Sequence, residues 1–133
     1  MPPEWGEAIR HDQLRTSPVV MLELLHSTRS QSEFDEWDER LSRLRSVPVT
    51  ATACQAAIGA LRELAHQGDG FHRVGLGDAL LAASASEAPG VGVLHYNPRD
   101  FDKLASVLTF QNVVLAAPGT FERGAGAPMR GPN

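Results

Sequence analysis

The chain is short of several things that would narrow its role at once. It has one cysteine, Cys54, in 133 residues, which excludes an internal disulfide and fits a reducing compartment. Cys54 lies in an alanine-rich stretch and reads as a small buried apolar residue. No apolar run approaches the roughly 20 residues that span a bilayer, and the first residues lack the apolar core of a signal peptide. The expectation is a cytoplasmic protein with no membrane partner. Basic charge is scarce as well. A formal net charge of −4 argues against a protein that coats nucleic acid through a broad basic surface. Gly75-Leu76-Gly77 lacks the further glycine of a dinucleotide fingerprint and runs into Asp78, which would repel a phosphate. There is no internal repeat. A hydrophobic share of 42% and a charged share of 21% are those of an ordinary globule, long enough to bury a core in one domain.

What the chain does have is three acidic residues in apolar or helix-starting surroundings. Glu23 lies within Val19–Leu25, Asp78 opens Asp78-Ala79-Leu80-Leu81, and Asp100 closes His95-Tyr96-Asn97-Pro98-Arg99-Asp100. A carboxylate inside an apolar run costs desolvation energy unless a positive charge sits beside it. No Lys or Arg is evident to play that part, so the missing charge reads as a divalent metal. Hard oxygen donors suit Mg²⁺ or Mn²⁺ rather than zinc. Each acid also has a plainer reading. Asp78 and Asp100 are good helix N-caps, and Glu23 could occupy a wet helix face. The five histidines show no metal-ligand spacing; His26 and His95 read as local hydrogen-bonding groups, His95 within reach of a phosphate.

Apolar spacing predicts alternating helices and short strands. A short helix over residues 4–12 centres on Trp5, Ala8 and Ile9, and Leu14–Ser17 is extended. Ser17-Pro18 starts a helix that ends near Ser27. After Ser30, Phe34, Trp37, Leu41 and Leu44 mark one helical face, with Glu36–Arg40 and Glu39–Arg43 as solvated pairs on the other. Val47-Pro48-Val49 reads as a short edge strand. Thr50–Gln67 is a helix with Ala53, Ala56, Ala57, Ala60, Leu61 and Leu64 inward, stopped by Gly68. A loop over residues 69–75 leads to a helix from Asp78 to Glu87, broken by Pro89-Gly90. Val91–His95 is a strand, Phe101, Leu104, Ala105 and Leu108 give a last helix, and Val113–Ala116 a last strand. Beyond Pro118 the Gly- and Pro-rich residues read as a disordered tail, so the domain covers residues 1–120 and the tail 121–133. The expected fold is α/β, a parallel sheet flanked by helices, with ligands at the carboxyl ends of the strands.

Three segments in this order, Leu22-Glu23-Leu24-Leu25-His26-Ser27, Gly77-Asp78-Ala79-Leu80-Leu81-Ala82-Ala83 and Leu94–Phe101, resemble the PIN-domain endoribonucleases, especially the toxins of VapBC-type toxin–antitoxin pairs. The similarity covers about residues 5–120. The resemblance implies metal-dependent hydrolysis of RNA phosphodiesters, with Glu23, Asp78 and Asp100 as the metal-holding catalytic acids. It places the fourth ligand in Asn97-Pro98-Arg99-Asp100, where Asp100 is preferred and Asn97 can offer only a carbonyl oxygen. Mg²⁺ or Mn²⁺, an RNA substrate, a cognate antitoxin and homodimers come with the family. An acidic chain is compatible with this activity, because a metal–carboxylate site is itself acidic. Arg73 and Arg99 are isolated arginines that could meet a phosphate backbone.

The resemblance also implies a departure. Family members open with an apolar strand ending in Asp, then a helix; here Met1 leads straight into Pro2-Pro3-Glu4-Trp5, and Asp12 follows no apolar strand. The expectation is a domain truncated at its N-terminus, lacking a central strand between two strand pairs. A start codon set downstream of the true one accounts for this most simply, and a decayed gene comes next. In that second case the chain would be an inactive remnant acting only as an antitoxin- or protein-binding module.

Overall fold

In a computed structural model of the chain, the structure describes residues 14–114. The helix expected over residues 4–12, the end of the last strand at Leu115–Ala116 and the tail lie outside the described residues. The chain divides into two compact units, one ending at Val49 and the other beginning at Thr50.

In the first unit, strand β1 (Arg15–Thr16) leads through Ser17 into helix α1 (Pro18–His26). Ser17 is buried and its Oγ accepts the Val20 N–H at 3.2 Å, while Pro18 needs no donor in the first turn. Helix α2 (Gln31–Ser42) begins at Ser30, whose Oγ accepts the Glu33 N–H at 3.1 Å. Its outer face carries the Arg40–Glu36 and Arg43–Glu39 pairs, and Leu41 is its buried residue. Strand β2 (Arg45–Ser46) pairs parallel with β1, Arg15 opposite Arg45. The strand expected at Val47-Pro48-Val49 therefore lies two residues earlier. The ladder ends with the Val47 N–H on the Thr16 carbonyl at 2.8 Å, and Pro48 has no N–H with which to continue it.

The second unit begins with helix α3 (Ala51–Gln67), capped by Thr50, whose Oγ1 accepts the Ala53 N–H at 2.9 Å. Ala53, Ala57, Ala60 and Leu64 form its buried stripe. Helix α4 (Leu76–Ser86) buries Ala79, Ala82, Ala83 and Ala85 in the same core, small side chains that let helix backbones approach closely. Strand β3 (Gly92–His95), helix α5 (Pro98–Ala105) and strand β4 (Gln111–Val114) make a parallel β–α–β unit. Val93, Phe101 and Leu104 join its inner face to the core of α3 and α4. The described strands thus form two separate two-stranded parallel sheets, β1–β2 and β3–β4. No described helix is long and apolar enough to cross a membrane.

Candidate active site

Two helices of the second unit present an acid in their first turn. Gly75 precedes α4, so Asp78 is its third residue rather than its cap, and Gly75 supplies no side-chain cap bond. Asn97 precedes α5, with Pro98 first and Asp100 third. Asn97, not Asp100, is therefore the cap. Its Oδ1 accepts the Asp100 N–H at 3.3 Å. Pro98 explains the assignment, since proline is favoured at the first helical position and leaves the preceding residue as the cap.

The side chain of Asn97 also joins the two acids. Its Nδ2 donates to Asp78 Oδ2 at 3.0 Å and to Asp100 Oδ2 at 3.2 Å. Asp100 Oδ2 accepts a further bond from the Gly75 N–H at 3.0 Å, so an acid in the first turn of α5 satisfies the residue just before α4. The cluster follows β3 directly, at the carboxyl end of a parallel strand.

Its electrostatics are unbalanced. Partial burial raises the Asp78 carboxyl above the ordinary aspartate value; the Asn97 hydrogen bond opposes this, the Asp100 charge adds to it, and His95 opposes it. Neither carboxylate has a Lys or Arg partner among the described residues. Two half-buried carboxylates on one amide are a hard-oxygen donor set, and they fit Mg²⁺ or Mn²⁺ in chemistry. Among the described residues no three His, Cys, Asp or Glu side chains gather into a cation cluster.

The second unit thus brings together Asp78, Asn97 and Asp100. Glu23 belongs to the first unit, on α1, where it is exposed. The Asn97 carbonyl oxygen is engaged in the α5 cap, and its amino group, not its oxygen, faces the acids. His95 does not reach for a phosphate. It is 7% exposed, stacked on Phe101, with Nε2 against Asn112 Oδ1 and Nδ1 accepting the Asn97 N–H at 3.0 Å. Arg73 and Arg99 are exposed.

Sequence reasoning missed Asn112 and the Gly75 N–H. The first had a signal. Asn112 pairs with Val93 and so falls on the inner face of β4, a polar residue where alternation calls for an apolar one.

An α/β unit with paired acids at the ends of parallel strands is the class of architecture in which carboxylates hold divalent cations for phosphate chemistry. The PIN domain family model matches residues 4–107, and the chain belongs to that family. It is 35% identical over 104 residues to ribonuclease VapC18 of Mycobacterium tuberculosis, a match spanning 77% of this chain and 74% of the relative.

Proposed function

We propose that this protein is the toxin of a toxin–antitoxin pair, a cytoplasmic endoribonuclease that hydrolyses RNA phosphodiesters with Mg²⁺ or Mn²⁺. The observation that carries the reading is the Asp78–Asn97–Asp100 cluster at the end of β3, in a chain of the PIN family similar to a ribonuclease. Asp78 and Asp100 would hold the cation, and Glu23 is the further acid that the family resemblance names. A bound divalent ion supplies charge stabilisation at the phosphoryl oxygens and lowers the pKa of water.

The chain's own residues do the rest. Asn97 keeps both carboxylates oriented without neutralising them. Gly75 fixes one oxygen of Asp100. The first turns of α4 and α5 put the positive ends of two helix dipoles behind the acids, which limits the cost of bringing them together. The partner on the protein side is a cognate antitoxin, and family resemblance extends the reading to homodimers.

The test is cleavage of single-stranded RNA by the purified full chain with Mg²⁺ or Mn²⁺. Cleavage is expected with the cation, absent in EDTA, and lost by about 10²-fold or more in Asp78→Asn and Asp100→Asn. A comparable loss in Glu23→Gln would place Glu23 in the metal site. Cleavage that persists in EDTA would overturn the metal mechanism, and no cleavage under any condition would favour a module that only binds protein.

A further inference from the structure

His95 is a buried titratable side chain to which the proposed chemistry gives no part, yet its surroundings fix every one of its hydrogen bonds. The order runs inward from Asp102, an acceptor-only carboxylate on α5. Asn112 Nδ2 donates to Asp102 Oδ1 at 2.9 Å, with the Phe101 carbonyl at 3.5 Å. Asn112 therefore turns its Oδ1 toward His95, and that oxygen can only accept. His95 must carry its proton on Nε2 to satisfy it. That leaves the Nδ1 lone pair for the Asn97 N–H at 3.0 Å. The ring lies against Phe101 with centroids 4.1 Å apart and planes 25° from parallel, and Phe101 is itself braced edge-on by Phe110. A flip of the ring would set carbon atoms where both partners need nitrogen.

We propose that His95 is a positioning residue for the carboxylate pair, holding Asn97 through Nδ1 and thereby setting how Asp78 and Asp100 meet a divalent cation. The proposal rests on the metal-site reading above. Both ring nitrogens are occupied by hydrogen bonds, so neither is free to ligate a cation, and the positioning passes through Asn97. The backbone N–H that His95 grips belongs to the same residue whose side chain spans both acids. Outer partners of metal ligands typically change metal affinity by about 10- to 100-fold when removed.

Three substitutions separate positioning from space filling. In His95→Asn the amide oxygen can take the Nδ1 role, accepting the N–H two residues on as in an Asx-turn. In His95→Gln the longer amide reaches instead toward Asn112. His95→Phe keeps the stack on Phe101 and makes neither bond. Mn²⁺ binding to the full chain, read from the electron paramagnetic resonance signal of free Mn²⁺, should remain within about threefold of wild type in His95→Asn. It should weaken about 10- to 100-fold in His95→Gln and His95→Phe. Melting in EDTA should rank the variants differently, with His95→Phe at least as stable as His95→Asn because it keeps the apolar contact. Long-range ¹H–¹⁵N spectra should find the His95 proton on Nε2.

Equal Mn²⁺ affinity in all four proteins, affinities that merely follow the melting order, or a proton on Nδ1 would overturn the proposal. The metal-site reading fails separately, and takes this proposal with it, if wild type binds no Mn²⁺ or binds it no better than Asp78→Asn.

Discussion

Asn97 does two jobs that substitution can take apart. Its oxygen caps α5 and its amino group bridges Asp78 and Asp100. Loss of a side-chain N-cap costs about 1 kcal/mol. A hydrogen bond to a charged acceptor contributes roughly 1.5–3 kcal/mol, and the lower end applies where water can take the donor's place, as it can at these half-exposed acids. The two bridging bonds share one amino group and do not add in full. Asn97→Ala, which loses cap and bridge together, should therefore lose about 2–3 kcal/mol. Asn97→Ser keeps a capping oxygen and should lose about 1–2 kcal/mol. At about 4 °C per kcal/mol for a chain of this size, the Ala variant melts roughly 10 °C lower than wild type and the Ser variant 4–8 °C lower.

Asn97→Asp is the decisive member of the series. Aspartate caps as well as asparagine, but it replaces the shared donor with a third carboxylate. In EDTA at neutral pH and low salt it should melt below Asn97→Ser, and added salt should narrow the gap by screening. Saturating Mn²⁺ should reverse their order. Far-UV circular dichroism is the assay, because no tryptophan follows Thr50 and tryptophan fluorescence would therefore not follow the unit that holds Asn97. If Asn97→Asp melts at or above Asn97→Ser in EDTA, position 97 does not lie in the field of the two acids, and the bridge is not what holds them.

The raised Asp78 carboxyl makes a signed pH prediction. Its native form binds its proton more tightly than the unfolded chain does, so stability in EDTA falls as pH rises from the ordinary aspartate value through the raised one. Asp78→Asn lacks that loss; urea titrations should find it more stable than wild type at neutral pH, with the gap closing in acid. Gly92 should not accept a side chain. A Cβ there would stand 2.7 Å from Gln111 Cβ and 2.8 Å from the Gln111 carbonyl, so Gly92→Ala should cost about 1–3 kcal/mol by forcing β3 and β4 apart. Gly59→Ala, in α3 with nothing within 4 Å of the added carbon, should instead stabilise by about 0.5–1 kcal/mol in the same unfolding experiment.

The helices were legible because their signals are local. Ser17-Pro18, Ser30 and Thr50 each cap the helix that follows, and the stripe of α3 falls where the 3.6 period puts it. The same Xaa-Pro signal stood at Asn97-Pro98, and read consistently it would have given Asn97 the cap. The strands are harder to read. Those of the first unit are two residues long, too short for alternation to show, and β2 is set by where Thr16 finds partners. Which acids meet was partly legible: Asp78 and Asp100 both follow from helix starts. The bridge between them was not, because it depends on how the first turns of α4 and α5 face each other. His95 and Asn112 lie 17 residues apart, and only the parallel register of β3 with β4 brings them to one face.

The choice of residue at position 97 says what the cluster is suited for. A lysine there would orient two carboxylates and also neutralise one of them, leaving a stable ion pair with little charge to offer a cation. An asparagine orients them and leaves their charge intact. The consequence is an Asp78 carboxyl raised first by its partial burial and further by the Asp100 charge, which the Asn97 hydrogen bond only partly offsets. A fold selected for its own stability alone would be better served by an apolar pair or by a salt bridge at this spot. An orientation device without a counter-charge makes sense where the counter-charge arrives from outside, as a divalent ion whose own charge lowers the cost of keeping both acids ionised. On that reading, the charge that would attract a cation is the same charge that costs the metal-free fold stability.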